Sequence, residues 1–428
     1  MTQHYPVIIV GGGQAGLSMS YCLKERGIEH LIFEKHRIGH EWRSRRWDSF
    51  CLVTPNWQCQ LPGFPYDGHD AHGFMQKEEI VAFIERYAAT FDPPIREGVT
   101  VSKVRQTEGE LFAITTSIGD FSADQVVIAV GGYHKPNIPR LAERLSAEIV
   151  QLHSSEYKNP QSLPEGSVLV VGSGQSGCQI AEDLHLAGKT VHLCVGTAPR
   201  SPRRYRNKDV VDWLDQMGYY DLSIEDHPQK ENARRNTNHY LTGRDGGREI
   251  DLRQFALEGM QLYGRLQGID SGKLHFKPDL AQNLDHADNV AANIKQSIDT
   301  FIAKNQIDVP TEASYQPVWK PKTERLSLDY QAANITSVIW STGYQSNFSW
   351  IEVPVFHGNG YPGHVRGVTD VRGLYFLGLP WLHTWGSGRF SGIARDATYL
   401  ADYIVARRQA SRAHVNAWSI VNEFLLGS

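Results

Sequence analysis

The chain has 428 residues, 41% hydrophobic and 21% charged, which is enough for two or three globular domains. Its formal net charge of -4 leaves no general basic field, so nucleic acid is excluded as an expected partner. The apolar runs are too short to cross a bilayer and no leader precedes them. We therefore expect a cytoplasmic protein without stable membrane insertion.

The first predicted element is an apolar strand at residues 7–10, followed by a GxGxxG loop and a helix that ends at Gly27. A second strand at residues 31–33 leads to Glu34, whose carboxylate suits the ribose hydroxyls of FAD or NAD. We call this segment the first unit. Its glycines permit a tight turn and let a diphosphate approach the helix amino terminus. The dinucleotide-binding positions predicted here are Gly11, Gly13, Gln14, Ala15, Gly16, Glu34 and Lys35.

A second unit repeats this pattern, with a strand at residues 168–171, a helix that ends at Gly188 and a strand at residues 191–195. The first loop glycine and the glycine that ends the helix are 16 residues apart in both units. The second loop predicts cofactor positions at Gly172, Gly174, Gln175, Ser176 and Gly177.

The position that matches Glu34 in the second unit is Val195. Arg200, Arg203 and Arg204 follow it, and guanidinium groups suit a 2'-phosphate, so NADP(H) is favoured over NAD(H). The alternative is a solvated basic turn.

Three further apolar runs, at residues 126–130, 338–340 and 374–377, indicate buried parallel strands that end near glycine. Ligands approach the carboxyl ends of such strands. The cofactor positions predicted at these ends are Gly131, Thr342, Gly343 and Gly378.

The five cysteines form no CxxC or CxxxxC pair, which argues against a dithiol-disulphide reductase. The run at residues 67–72 contains two histidines and two aspartates, but no second ligand cluster accompanies it. An exposed loop is the better interpretation, and no metal is expected.

Several motifs resemble class B flavoprotein monooxygenases, which include flavin-containing monooxygenases, plant indole-pyruvate oxygenases and Baeyer-Villiger enzymes. The similar segments are Gly39-His40-Glu41-Trp42-Arg43, Trp47-Asp48, Thr54-Pro55, Cys59-Gln60-Leu61-Pro62, His153-Ser154-Ser155, Trp340-Ser341-Thr342-Gly343-Tyr344 and Gly378-Leu379-Pro380-Trp381-Leu382-His383-Thr384. The middle of the chain and residues 381–390 are most similar to a bacterial oxidoreductase group encoded near a nitrilase.

The resemblance implies an α/β protein with two Rossmann-type domains, the NADP-binding domain being inserted into the FAD-binding domain. The expected parts are residues 1–157 (FAD), 158–335 (NADP, with a helical elaboration) and 336–428 (FAD). It also implies Trp42, Arg43, Thr54 and Gln58 as cofactor contacts. Asn56 is the candidate catalytic residue, with an amide that could bind an oxygen intermediate or the substrate; the alternative is a turn residue.

The implied activity is an NADPH-dependent monooxygenase that transfers one oxygen atom from O2, through a flavin C4a-hydroperoxide, to N, S or a carbonyl of a small substrate. Two alternatives remain open. One is an FAD-dependent NADPH oxidase or reductase that releases H2O2, and the other is a non-catalytic NADPH sensor. A homodimer is possible.

Overall fold

The computed structural model describes residues 3–358 and 360–426, with side chains described as far as residue 410. The strands are β1 (Gln3–Val10), β2 (His30–Phe33), β3 (Gln60–Leu61), β4 (Phe64–Pro65), β5 (Ile95–Arg96), β6 (Val101–Gln106), β7 (Phe112–Thr116), β8 (Gly119–Ile128), β9 (Lys135–Pro136), β10 (Val150–His153), β11 (Ser167–Val171), β12 (Val191–Cys194), β13 (Arg204–Tyr205), β14 (Lys208–Asp209), β15 (Gln261–Tyr263), β16 (Leu266–Asp270), β17 (Lys273–Phe276), β18 (Ser327–Asp329), β19 (Ile335–Trp340), β20 (Tyr344–Gln345), β21 (Ile351–Glu352) and β22 (Leu374–Phe376).

The helices are α1 (Gln14–Glu25), α2 (His40–Ser44), α3 (Lys77–Phe91), α4 (Gln175–Leu186), α5 (Val210–Gln216), α6 (Arg244–Gly247), α7 (Leu252–Leu257), α8 (Leu280–Lys304) and α9 (Ile393–Leu426). Short 3-10 segments include Asn56–Gln58, Tyr219–Asp221 and Lys230–Arg235. Among the described residues, no helix has the length and apolar character needed to cross a membrane.

The first sheet has the strand order β21-β6-β7-β8-β1-β2-β5, with β22 also paired to β8. Its centre is parallel: β1 pairs with β2 and β8, and β22 pairs with β8 in the same direction. Most strands of the chain's first 130 residues therefore share a sheet with β21 and β22, and more than 220 residues separate the end of β8 from the start of β21. This arrangement confirms the predicted fold, in which one domain is inserted into another.

The second sheet has the order β10-β19-β11-β12-β15 and is parallel throughout. Its edge strand β10 precedes residue 158, and its inner strand β19 lies mostly after residue 335. The sheet thus extends beyond both expected domain limits. We propose boundaries near residues 149 and 341, where β10 begins and β19 ends.

The chain passes from the first sheet to the second after β8 and returns after β19. These two connecting segments, the chain crossings, run side by side, because β9 in the first pairs with β20 in the second in antiparallel fashion. Asn137 on the first crossing and Thr342 on the second also exchange side-chain to backbone hydrogen bonds. Below them a single hydrophobic core includes Val7 and Val168, from the first strand of each unit. The two sheets are therefore held with the carboxyl ends of β1 and β11 close to the same crossing.

Candidate functional site between the two glycine loops

The two glycine loops have the same backbone geometry. Gly11 and Gly172 both have φ +105°, and a Cβ at either position would lie 2.6 Å from a backbone oxygen, that of Ala129 or Ser341. The last glycines are just as constrained: a Cβ on Gly16 would lie 1.8 Å from the Gly11 oxygen, and one on Gly177 would lie 1.9 Å from the Gly172 oxygen. Only glycine fits these positions, because the strand and the helix turn back against each other.

The middle glycine of each loop is open instead. A Cβ on Gly13 would meet no atom within 4 Å, and one on Gly174 would meet only Thr237 Cγ2, at 3.9 Å. These residues precede α1 and α4, and neither helix start has a side-chain cap. The free N–H groups and the open space above them fit the diphosphate of a dinucleotide at each loop.

Glu34 is held where a ribose would lie in the first unit. Its Oε2 accepts a hydrogen bond from the Gly12 N–H at 2.6 Å, and its Oε1 accepts one from the His36 N–H at 2.8 Å. A carboxylate can accept about four hydrogen bonds, so the side chain keeps capacity for two ribose hydroxyls. The chemistry of this site fits the adenosine end of FAD.

Both loops open into one cavity of about 2060 Å³. A pocket for one small ligand usually has roughly 300–1,000 Å³, so the cavity has room for two cofactors and a substrate. It is lined by these predicted cofactor positions: Gly11, Gly13, Gln14, Ala15, Glu34, Lys35, Trp42, Thr54, Gly131, Gly174, Gln175, Ser176, Thr342, Gly343 and Gly378. Gly16, Gly172 and Gly177 lie behind the loops, at the close contacts given above.

Trp42 connects the first loop to the chain segment that precedes α9. Its indole Nε1 donates to Gln14 Oε1 at 3.4 Å, and its ring stacks on Phe390 with centroids 5.6 Å apart. Gln14 in turn donates to the Gly388 carbonyl at 3.1 Å. These contacts position an aromatic wall beside the first loop. Arg43 lies on the other side of α2, where Nη2 binds Glu85 at 2.6 Å, and it does not line the cavity.

Of the three arginines predicted as candidates for the 2'-phosphate, Arg200 and Arg203 are buried away from the cavity, and Arg204 is exposed outside the cavity lining. Arg200 is 4% exposed and Arg203 2% exposed. Arg203 binds Asp209 at 2.5 Å, and Arg200 lies within ion-pair distance of three acidic side chains. Those three are Glu249, Asp251 and Asp288. Their charges are already balanced, so they offer no free cation to a ligand.

The segment Lys230–Arg235 contributes two cationic side chains, Arg234 and Arg235, to the cavity lining. Arg234 pairs with Glu231 at 3.2 Å. Arg235 is exposed and forms no ion pair with any described residue. It lies two residues before Thr237, whose Cγ2 would lie 3.9 Å from a Cβ on Gly174. A free guanidinium therefore lies near the second loop.

Asn56 and Gln58 are buried outside the cavity lining, with exposed fractions of 4% and 2%. Both ends of the Asn56 amide bind neighbouring segments: Nδ2 donates to the Asp70 carbonyl at 2.9 Å and to the Tyr66 hydroxyl at 3.4 Å, and Oδ1 accepts from the Met75 N–H at 2.7 Å. This side chain ties the segment after Thr54 to the following loop, and no atom of it faces the space where a cofactor would bind.

Sequence reasoning missed several residues of the cavity wall. They are Arg45, Arg46, Tyr219, Tyr220 and Trp385. Arg389, which the sequence places beside the flavin end of the last helix, also lines the cavity. The run Arg43-Ser44-Arg45-Arg46 after Trp42 was a signal, but the short helix α2 ends at Ser44, and the turn directs Arg46 over the Trp42 ring at 5.1 Å. No local pattern marks the tyrosines, since they come from a loop far from either glycine motif.

All five cysteines are free and buried, and none of them lines the cavity. Burial raises the pKa of the Cys51 thiol to about 11 and that of Cys59 to about 12. Buried, protonated thiols are poor nucleophiles. The cavity therefore holds no dithiol that could exchange with a disulphide.

Comparisons with known proteins agree with this geometry. A family model for the pyridine nucleotide-disulphide oxidoreductases matches residues 8–217. A CzcO-like oxidoreductase of Geobacillus kaustophilus is 36% identical over 402 residues, which is 93% of this chain and 98% of that protein. The CzcO oxidoreductase of Bacillus subtilis is 31% identical over 92% of this chain and 98% of its own length.

More distant matches point in the same direction. The probable indole-3-pyruvate monooxygenase YUCCA10 of Arabidopsis thaliana is 34% identical over 215 residues, 48% of this chain and 54% of that protein. The structure of a flavin-containing monooxygenase from Stenotrophomonas maltophilia covers 95% of this chain and 99% of its own, with a TM-score of 0.65 and 18% identity, which shows a shared fold. The chain therefore belongs to the CzcO-like oxidoreductases.

Proposed function

We propose that this protein is an NADPH- and FAD-dependent monooxygenase that inserts one oxygen atom of O2 into a small organic substrate. The reaction balances as substrate, O2, NADPH and a proton giving oxygenated substrate, water and NADP+. The second oxygen atom leaves as water, and NADPH supplies the two electrons that this reduction needs.

The observation that supports this proposal best is that two equivalent dinucleotide loops face one cavity. Hydride transfer requires the nicotinamide to reach the flavin within contact distance, and separate pockets would not allow it. Gly13 and Gly174 both line the cavity, so two dinucleotides bound there share one enclosed space. When bound, FAD would supply a hydride acceptor and, in its reduced form, a group that reacts with O2.

The residues of the chain have binding and shielding roles in this proposal. The amino termini of α1 and α4 bind the diphosphates, and Glu34 binds a ribose. Trp42 and Phe390 form an apolar wall that keeps water from the first cofactor. Exclusion of water favours oxygen transfer over loss of H2O2, which makes such walls part of the function.

Related proteins carry names that agree with this activity. YUCCA6 of Arabidopsis thaliana is an indole-3-pyruvate monooxygenase, and it is 31% identical to 45% of this chain. An ornithine N-hydroxylase from Kutzneria, described with reduced FAD and NADP+, has the same fold with a TM-score of 0.62. Bacillithiol disulphide reductases share the fold as well, with a TM-score of 0.60. The buried cysteines described above favour oxygen transfer over disulphide reduction.

Oxygen transfer is tested by isotope incorporation and by stoichiometry. The purified holoenzyme is supplied with NADPH, 18O2 and a panel of amines, sulphides, ketones and nitrile-derived compounds. We expect one substrate class to gain a single 18O atom. The amounts of NADPH and O2 consumed should equal the amount of oxygenated product formed. Rapid NADPH oxidation with H2O2 as the only product would support an oxidase or reductase instead. Slow NADPH oxidation with every compound would favour a sensor.

Three finer expectations accompany this proposal: a role in a nitrilase-linked gene cluster, a homodimeric state and a cytoplasmic location. Each stays a prediction. The first rests on the sequence of residues 381–390, and the nitrile-derived compounds in the panel address it directly.

A further inference from the structure

Arg389 lines the cavity in an unusual electrostatic setting. Its guanidinium lies over the Trp385 ring, with Cζ 4.1 Å from the centroid. Nη1 donates to the Trp385 carbonyl, and Nη2 donates to Asn238 Oδ1 at 2.9 Å. Both partners are neutral. Since a guanidinium has five N–H groups, three remain for a ligand.

No described carboxylate balances this charge. The titratable groups that act on Arg389 are the phenols of Tyr133, Tyr219 and Tyr220, and burial lowers the pKa of the guanidinium. Burial also raises the pKa of the Tyr219 and Tyr220 phenols, so these stay neutral. Arg389 is half-buried, and even partial removal of a cation from water is costly without an opposite charge. A ligand that brings an anion would remove this cost.

The walls around Arg389 are aromatic. Tyr220 packs on Trp385 with centroids 4.9 Å apart, and Tyr219 packs edge-on against Tyr220 at 5.5 Å. We call Arg389, Asn238, Tyr219, Tyr220 and Trp385 the arginine pocket. Such walls favour a flat, apolar group next to the anion.

The arginine pocket lies between the two loops. The residue before Arg389, Gly388, accepts a hydrogen bond from Gln14 of the first loop, and the residue after it stacks on Trp42. On the opposite side, Asn238 follows Thr237, whose methyl group lies over Gly174 of the second loop. A ligand in this pocket would therefore be close to both cofactors.

We propose that Arg389 binds the carboxylate of an organic acid substrate, whose aromatic part packs against Tyr219, Tyr220 and Trp385. This inference rests on the proposed monooxygenase function and adds the substrate class. A phosphate of one cofactor has the same anionic oxygens as a carboxylate. In the proposed arrangement, however, the amino termini of α1 and α4 already bind the two cofactor diphosphates. Arg389 therefore remains available for a further anion.

The test uses the holoenzyme and two probes of equal shape, 3-phenylpropionate and its neutral amide, 3-phenylpropanamide. Binding is followed by the change in the visible spectrum of the flavin. The variants are Arg389→Gln, which removes the charge, and Arg389→Lys, which keeps it without the planar fork. Arg395→Gln is the matched control, because Arg395 lies six residues on, outside the cavity lining, and pairs with Asp221.

We expect the wild type and Arg395→Gln to bind the propionate more tightly than the amide. Arg389→Gln should bind the propionate about 10- to 100-fold more weakly, with Arg389→Lys between them. FAD content should stay unchanged in all variants, and Arg395→Gln should also keep the wild-type rate of anaerobic flavin reduction by NADPH, which separates this inference from the proposed function. If Arg389→Gln did not fold, Arg389→Lys would still test the proposal. Its intermediate affinity for the propionate would show that the planar guanidinium contributes to binding beyond its charge.

Three results would overturn the proposal. The first is equal binding of the acid and the amide by the wild type, or binding of neither. The second is unchanged propionate binding by Arg389→Gln. The third is a weaker affinity of Arg389→Gln for NADPH or FAD with propionate binding intact, which would assign the anion to a cofactor phosphate.

Discussion

The first and second units have nearly the same backbone but different side chains after the second strand. The first glycine of each loop has φ +105°, and the last glycine of each loop lies equally close to a backbone oxygen. Yet Glu34 directly follows the second strand of the first unit, whereas Val195 occupies that position in the second. We infer that the glycines determine where a diphosphate would lie, while the side chains beyond them determine which nucleotide each unit would recognise.

The arginines show why proximity to a motif is not sufficient for a ligand contact. Arg200 and Arg203 follow the second unit directly in sequence, but carboxylates surround them. Arg235 and Arg389 come from distant segments, line the cavity and have no described acidic partner. An arginine without a charge partner in a cavity is the better candidate for an anionic ligand.

The largest expected effect comes from the last glycine of each loop. Gly16→Ala places a methyl group 1.8 Å from the Gly11 oxygen, so we expect about 3 kcal/mol lower stability of the apoprotein and loss of bound FAD. Alanine normally stabilises a helix by about 1 kcal/mol relative to glycine, and the clash outweighs this gain. Denaturant unfolding and flavin content measure the effect.

Gly177→Ala should lower stability by a similar amount, since its methyl group would lie 1.9 Å from the Gly172 oxygen. Gly109→Ala is the control, because its methyl group would meet no atom within 4 Å. If Gly16→Ala and Gly177→Ala both kept the stability of the wild type, the close packing described for the last glycine of each unit would be contradicted.

Alanine at the middle glycine of each loop should weaken the binding of one cofactor and leave the binding of the other unchanged. Gly13→Ala leaves room in the protein but fills the expected diphosphate space, so FAD should bind at least about tenfold more weakly while the apoprotein keeps its stability. Gly174→Ala should instead raise the Kd of NADPH about tenfold with FAD retained. Titration calorimetry and flavin content distinguish these results, and loss of the same cofactor in both variants would contradict the assignment.

Much of the fold of the two units could be predicted from the sequence. The strand, loop and helix of each unit are local patterns, and the observed α1 and α4 end two residues before the predicted stops at Gly27 and Gly188. The partners of Arg200 could not be predicted, because Glu249, Asp251 and Asp288 are 49 to 88 residues further along the chain. Asn56 likewise finds its partners only when the loop before Met75 folds back.

A smaller effect is expected at Glu34. Glu34→Gln replaces a charged acceptor by a neutral one, so FAD should bind about tenfold more weakly, with the Kd of NADPH unchanged. Glu29→Gln is the control, since Glu29 is exposed and outside the cavity lining. An equal loss of NADPH affinity would place the wrong nucleotide in the first unit.

The smallest effect should come from Arg235. If this exposed guanidinium binds the 2'-phosphate, Arg235→Gln should lower the preference for NADPH over NADH by about five- to tenfold. Arg204→Gln serves as the control, because Arg204 is exposed but lies outside the cavity lining. The ratio of kcat/KM values for the two nucleotides gives the result, and an unchanged ratio in Arg235→Gln would remove Arg235 from this role.

The measurement that tests the central claim most directly is anaerobic stopped-flow reduction of the bound flavin by NADPH. If both loops serve one cavity, the protein should hold one FAD per chain, and the flavin should be reduced at a rate that saturates with NADPH. Gly174→Ala should shift that saturation to higher NADPH concentrations without loss of FAD. A chain that binds no FAD, or whose flavin stays oxidised at every NADPH concentration, would contradict the account.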